Sequence, residues 1–426
     1  MPNINITCTL LFGCLCTAVY AQYPNVKIAE NKQGGFGPCE PSIFVNPKNP
    51  QNIVAGSILN RVHYSFDGGK TWEHSKLTST YGVYGDPCVI ADKHGHFYYF
   101  HLSDPDGQGW SSDKLLDRIV CQKSIDGGKT WNKGSFMGFT PPKDQDKEWA
   151  VADPKSGNIY TTWTQFDKYD SKSPKDSTHI LFSRSTDGGK SWSTAVRINQ
   201  IGGDCLDDDK TVEGAVPTVG TKGEIYVAWA VNDKIYFDKS TNHGKTWLKK
   251  DITVGDIPSG WSIDIPGIGR ANGMPVTGCD LSESKHKGTI YVNWSDQRHG
   301  DTDIWLSKST DGGDTWSAAK KVNDDDSKRH QFFNWMAVDP VTGYIYIIFY
   351  DRRNYTDEQT DVYLAYSTDG GETFTNEKVS ESPFKPNPMT FFGDYNNISA
   401  YNGIVRPIWT RQEGVQLSIW TALINK

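Results

Sequence analysis

Ser65-Phe66-Asp67-Gly68-Gly69-Lys70-Thr71-Trp72 is written, with small changes, six times along this chain. The other copies are Ser124 to Trp131, Ser185 to Trp192, Ser240 to Trp247, Ser309 to Trp316 and Ser367 to Phe374, spaced roughly every 55 to 70 residues. Two have drifted: the fourth reads Asn242-His243-Gly244 at its centre and the sixth ends in Phe374. A period of this length over the whole chain marks a repeat architecture. The phrase also has a mechanical reading. A tight hairpin needs positive φ at its Gly pair and a short acceptor side chain that folds back onto turn amides, which suits Asp67 and its counterparts. The Trp then opens the next strand and lies across the hairpin, burying a large ring where a four-stranded unit has little else to bury. The box is therefore read as a staple, not as six copies of an active site.

These phrases resemble the Asp box, or BNR repeat, of the sialidase-like β-propellers. The resemblance implies an all-β propeller and says little about chemistry, because Asp boxes also occur in propellers that cleave other glycans, in receptors and in assembly factors.

Ahead of each box lies a second pattern of polar start, short apolar strand, turn and alternating strand, and the two together make one blade. Blades begin at Glu40-Pro41, Asp86-Pro87, Lys147-Glu148-Trp149, Glu213-Gly214, Arg270 to Pro275 and Gln331-Phe332. A seventh start, Gly393-Asp394-Tyr395, follows the last box. That blade is one strand short, and Asn25 to Glu30 is placed to complete it as a clasp. A seven-bladed β-propeller over residues 22–426 is the expectation, with six blades the alternative if the last segment only closes blade six.

Residues 1–21 read as a secretory leader, with an apolar run ending in small residues and cleavage before Gln22, although Met1 to Ile6 carry no Lys or Arg. A secreted or periplasmic location follows, with a cell-surface lipoprotein the lesser option. No other stretch has the length of a membrane span. Cys39, Cys88, Cys121, Cys205 and Cys279 remain after the leader; five is odd, and Cys39 with Cys88 is the preferred bridge because both sit near starts of neighbouring inner strands. The net charge of −7 excludes a nucleic-acid partner, since no basic stripe is present to offset phosphate. A monomer acting on a glycan is expected. Fifteen Trp and twenty Tyr suit both strand-rich blades and sugar stacking, with Trp110 and Trp261 as candidate platforms in the longer loops.

Inner-strand starts of a propeller converge at one mouth of the channel. Here they supply Glu40, Asp86, Asp146 with Glu148, Glu213, Arg270, His330 with Gln331, and Asp394 with Tyr395. Such a set makes a binding site. Glycosidic cleavage uses a proton-donating carboxyl with a raised pKa and a second carboxylate as base or nucleophile. Clustered acids raise one another's pKa, so the candidate catalytic residues are Asp86, Glu148 and Glu213. Sialidases instead use a Tyr activated by a Glu, which Tyr395 with Glu213 would resemble. The substrate-binding candidates are Glu40, Trp149, Arg270, His330, Gln331 and Asp394.

The sialidase resemblance stops at one place. Where their first inner strand carries Arg-Ile-Pro, beginning a three-arginine clamp on the substrate carboxylate, this chain reads Cys39-Glu40-Pro41. Arg298, Arg352 and Arg353 follow second strands in Asp-x-Arg stretches that read as ion-paired blade caps. The reading is a hydrolase removing a terminal acidic sugar, sialic acid-like or uronyl. The alternatives are a polysaccharide lyase on uronates, for which His101, His330 and Tyr395 would move protons, and a non-catalytic glycan-binding propeller. No cofactor is implied. Oxygen-rich loops at Asp204 to Asp209 and Asp324 to Asp326 raise Ca²⁺, but their spacing fits no defined calcium loop and solvated turns explain them better.

Overall fold

The computed structural model describes residues 22–32 and 36–426. The leader expected at residues 1–21 lies outside the described residues. Seven antiparallel sheets stand around one axis. Their inner strands are Ser42–Val45, Cys88–Ala91, Asp144–Ala152, Glu213–Val219, Val276–Cys279, Gln331–Val338 and Asn397–Tyr401. Each inner strand neighbours the next, and the seventh neighbours the first. The seven-bladed expectation is correct. So is the clasp: Asn25–Glu30 pairs antiparallel with Gln416–Ala422 as the outermost strand of blade 7, Asn25 opposite Ala422. The one helical element among the described residues is a 3₁₀ turn at Gly109–Ser111.

The boxes do what their residues suggest. Ser65 Oγ donates to Asp67 Oδ1 at 2.8 Å, the Thr71 amide donates to the same oxygen at 2.9 Å, and Thr71 Oγ1 donates to Oδ2 at 2.6 Å. Gly68 and Gly69 have φ of 76° and 92°. In the drifted fourth box Asn242 Oδ1 still takes the Thr246 amide at 2.9 Å, while its Nδ2 now donates to Thr246 Oγ1 at 2.7 Å. The Trp, however, does not simply cover its own hairpin. Trp192 meets Phe100, Trp247 meets Phe182 and Trp316 meets Phe237, each an edge contact onto the preceding blade at 4.9–5.7 Å between ring centroids. The box is thus a staple between blades, made where two sheets must share apolar surface. Deeper in, Trp163, Trp229, Trp294 and Trp409 on the second strands of four blades are fully buried.

One backbone device positions the site. Glu40, Asp86, Lys147 and Phe333 have φ of 50°, 47°, 54° and 52°, and Gly214 has 76°. Each lies two residues before Ser42, Cys88, Trp149, Trp335 or Val216, where regular inner-strand pairing begins or resumes. In blades 3, 4 and 6 the register shows an extra residue at this point. Bulges of this kind re-aim side chains at the rims of closed sheets. Holding a side-chain-bearing residue in the left-handed region costs on the order of 1 kcal/mol or more, and four such residues stand at the inner-strand starts.

The expected Cys39–Cys88 bridge is not formed: all five described cysteines are free and buried. Cys39 comes just before the left-handed residue of its blade and Cys88 two residues after that of the next, so the two are not equivalent positions. The Asp-x-Arg stretches do cap blades. Arg298 forks onto Asp296 and lies 4.2 Å over Trp305, and Arg353 pairs with Asp351 at 2.7 Å and lies 4.4 Å over Tyr363.

Candidate active site

The ring delivers most of the expected acids to one mouth. Lys147, buried with 4% of its side chain exposed, lies between Asp86 at 3.1 Å and Asp394 at 2.7 Å. Arg270 Nε donates to Asp394 Oδ1 at 2.8 Å, its Nη2 donates to Asp394 Oδ2, and its Nη1 donates to Asp207 Oδ2 at 2.6 Å. Glu40 Oε1 accepts the Asp394 amide at 3.2 Å, and the Asn272 side chain holds the Asp394 carbonyl at 3.0 Å. Asp146, Glu148 and Glu213 complete the group, all buried; Glu213 lies against Asp207, and neither Glu148 nor Glu213 accepts a hydrogen bond from an N–H or hydroxyl donor among the described residues.

Charges separate within this cluster. Burial raises Glu40, Glu148 and Glu213 well above the usual carboxylate range, with repulsion from Asp86 adding at Glu40 and Glu148 and from Asp207 at Glu213. Burial likewise pushes Asp146 up to about 8, against the pull of Lys147. Asp394 goes the other way: burial opposes its charge, but Arg270 and Lys147 outweigh burial and hold it well below the ordinary value. Carboxyls that keep their protons therefore stand beside one that stays ionised, the divergence that acid–base chemistry needs.

Below the charges lies an aromatic floor. Trp149 and Trp335 have ring centroids 4.3 Å apart, and Tyr395 meets Trp149 at 5.0 Å. A cavity of about 550 Å³ lies along the inner strands, walled by Trp149 and Trp335 and by aliphatic residues such as Ile43, Val89 and Val338, but by none of the mouth's charged groups. The polar groups converge at the mouth, and the cavity is walled mainly by apolar side chains.

Some expectations are corrected. His330 and Gln331 have no hydrogen bond or ion pair to the mouth acids among the described residues. His330 Nδ1 faces Thr302, and Gln331 is tied to Asn323 at 2.9 Å and Asp351 at 3.2 Å. In their blade the left-handed position is filled by Phe333, which is apolar. His101 is buried, with Nδ1 2.7 Å from the Leu102 carbonyl and Nε2 3.2 Å from Gln122. The Tyr395–Glu213 pair is not made: the Tyr395 hydroxyl has no hydrogen-bond partner, and burial with Asp86 and Glu40 raises its pKa well above normal, the reverse of what a phenoxide nucleophile requires. Trp261 is no open platform either, since it is buried and donates to Asp207 at 3.1 Å. Trp110 is 63% exposed, with its ring 5.1 Å from Tyr169, whose hydroxyl donates to Asp207 at 2.7 Å.

Sequence reasoning did not single out Lys147, Tyr169 or Asp207 as site residues. Asp207 comes from the acidic loop considered for Ca²⁺. Its neighbours there serve the chain: Asp209 Oδ1 accepts the Trp261 amide at 2.8 Å, and Asp204 Oδ1 accepts Thr211 Oγ1 at 2.9 Å. The other acidic loop pairs with Arg353, through Asp324 and through Asp325 at 3.7 Å.

A family model, the BNR/Asp-box repeat, matches residues 63–74, the first box. The fold is that of the Asp-box β-propellers. Solved propellers align over most of the chain. A PL25 ulvan lyase bound to -[GlcA(1-4)Rha3S]- aligns with TM-score 0.53 and 12% identity, over 94% of this chain and 96% of that one. The NanB sialidase of Streptococcus pneumoniae aligns with TM-score 0.51 and 10% identity, over 88% and 83%. The Hadza microbial sialidase Hz136 aligns with TM-score 0.50 and 15% identity, over 88% and 73%. No curated protein matches by sequence. At these identities the likeness is one of fold, and the propeller's chemistry is argued from its own residues.

Proposed function

We propose that this propeller is a glycoside hydrolase that cleaves an O-glycosyl bond at its acid-lined mouth. The observation that carries the proposal is the split in protonation among carboxyls that different blades bring together: Asp146 held protonated to about pH 8, Asp394 held ionised. Asp146 donates its proton to the departing glycosidic oxygen. Asp86, on Lys147 at 3.1 Å with 12% of its side chain exposed, takes a proton from the attacking water, whose oxygen ends on the sugar carbon. One water is consumed, and solvent returns the proton from Asp86 to Asp146. Asp394, ionised and fully buried, holds Arg270 and Lys147 in place beside the reacting groups. Glu148 and Glu213, at 1% and 0% exposure, sit behind these groups, and burial with the charges of Asp86 and Asp207 keeps Asp146 protonated.

Hydrolysis is favoured over elimination because two of the three groups a lyase reading called on, His101 and His330, are bonded elsewhere, and the third, Tyr395, has its hydroxyl buried without a partner and its pKa raised by that burial. The proposal includes secretion, on the reading of residues 1–21 as a leader, and with it access to extracellular glycans. The acidic terminal sugar expected from the sequence needs a cation free to pair with it. The test is incubation with a glycan panel, following product mass and near-ultraviolet absorbance together. Products that gain one water, and their loss in Asp146→Asn and Asp86→Asn with folding retained, support the proposal. Unsaturated, absorbing products mean a lyase, and bound but intact glycan means a binding propeller; either result ends the hydrolase reading.

A further inference from the structure

Among the described residues two cations pair with the mouth's carboxylates, and both are already neutralised. Arg270 spends Nε and Nη2 on Asp394 and Nη1 on Asp207. Lys147 lies between Asp86 and Asp394 and is almost wholly buried. These ion pairs alone set three carboxylates, Asp86, Asp207 and Asp394, against two cations, an excess of one negative charge. Four further carboxyls, Glu40, Asp146, Glu148 and Glu213, surround them, and each is either neutral or adds to the excess. The carboxylates nearest the surface are Asp86 and Asp207, at 12% and 8% side-chain exposure, and Glu148 and Glu213 are closed off behind them. Three more arginines stand at this end of blade 6, and none has an ion pair or hydrogen bond to the mouth acids among the described residues: Arg352 is fully buried and donates to Pro266 and Thr360, Arg353 pairs with Asp351, and Arg329 donates to the Asp357 carbonyl.

A site that recognises a carboxylate presents free guanidinium forks to it. This one presents acceptors, and hydroxyl groups are what acceptors bind. Bringing a further carboxylate into a mouth with excess negative charge is repulsive, and repulsion of the wrong ligand is as good a source of selectivity as attraction of the right one. Given the reading of the mouth as a glycan site, we infer that the sugar unit it seats is uncharged, a hydroxyl-donating pyranose with neither carboxylate nor sulfate. The half-exposed edge of Arg270 and the open face of Trp110 lie on the approach, where a neutral ring stacks without electrostatic cost.

Two arms test it. An array carrying matched neutral and carboxylated glycans is probed with the wild-type protein, and the best member of each class is titrated by NMR. The inference expects neutral members to bind at least about tenfold more tightly than their carboxylated partners. The Asp207→Asn variant, which frees Arg270 Nη1 and removes the excess charge, should narrow that ratio by about tenfold. Tighter binding of carboxylated members by the wild type, or no binding of any glycan, overturns the inference. So does an unchanged ratio in a folded Asp207→Asn protein. Cleavage is read separately. Neutral glycans bound but not cut would remove the hydrolase reading and leave this inference standing, and acidic glycans cut would do the reverse.

Discussion

Replacing Asp394 by Asn keeps the shape of the side chain and removes the one charge shared by both cations of the mouth. Lys147 then loses its nearer partner, at 2.7 Å, and keeps only Asp86 at 3.1 Å. Breaking a buried ion pair by removing one member costs about 3–5 kcal/mol. Here the lower end applies, because Arg270 has 40% of its side chain exposed and recovers water, which screens its loss. With an unfolding entropy of about 2.1 cal/mol/K per residue over a propeller of this length, a loss of about 3 kcal/mol lowers Tm by roughly 3–4 °C. The pH dependence has a definite sign. Asp394 has a depressed folded-state pKa, so its contribution is present above the unfolded value of ~3.9 and fades as pH falls through the lower folded value. The Tm gap between wild type and Asp394→Asn should therefore hold from pH 7 to pH 5 and close only below about pH 4. Differential scanning calorimetry of wild type, Asp394→Asn, Lys147→Met and the double variant gives the coupling directly, expected at about 1 kcal/mol or more. A drop below about 1 °C with no coupling would show that the charges at the mouth are solvated rather than mutually held.

Asp146→Asn removes a carboxyl whose ionisation the fold resists: the wild type loses stability as pH rises from the unfolded value of ~3.9 to about 8, so the variant's stability should change less from pH 5 to 8, and an equal slope in both proteins refutes the assignment. Gly313→Ala places a methyl against the Phe237 ring at a backbone φ of 89° and should cost about 2–4 kcal/mol through overpacking and strain, measured by urea denaturation. Trp294→Ala removes a fully buried ring whose Nε1 donates to Asp296 at 2.8 Å and should cost about 3–5 kcal/mol in the same assay. Trp110→Ala should raise KM for an oligosaccharide severalfold with kcat unchanged, since the ring is exposed and joins the mouth only through Tyr169; a lowered kcat would contradict that placement.

The fold was legible because the Asp box states its turn in residue identities: a Gly pair for positive φ, an Asp for the amides, an aromatic ring to bury. The clasp was legible as well, since the last blade lacked a strand and an alternating segment stood free at residues 25–30. What the box could not show was that its Trp reaches the preceding blade, a contact made only once neighbouring sheets are assembled. At the mouth, Glu40, Asp86, Glu148, Glu213, Arg270 and Asp394 were readable as strand starts. Lys147 was adjacent to them in the chain, yet its role depends on the left-handed turn that aims it at Asp86 and Asp394. Asp207 was one of four acids in one loop, and only the ring decides which of them meets Arg270. His330 and Gln331 were misplaced for the same reason in reverse, because the left-handed position of their blade falls on Phe333, two residues beyond Gln331.

The most direct measurement is a crystal structure of Asp146→Asn soaked with a neutral oligosaccharide that the wild type cleaves. The account predicts a sugar ring at the mouth, within hydrogen-bonding distance of Asp86 and of the amide introduced at position 146, and in contact with the exposed edge of Arg270. Sugar bound elsewhere on the ring of blades, with the mouth unoccupied by it, would contradict the account.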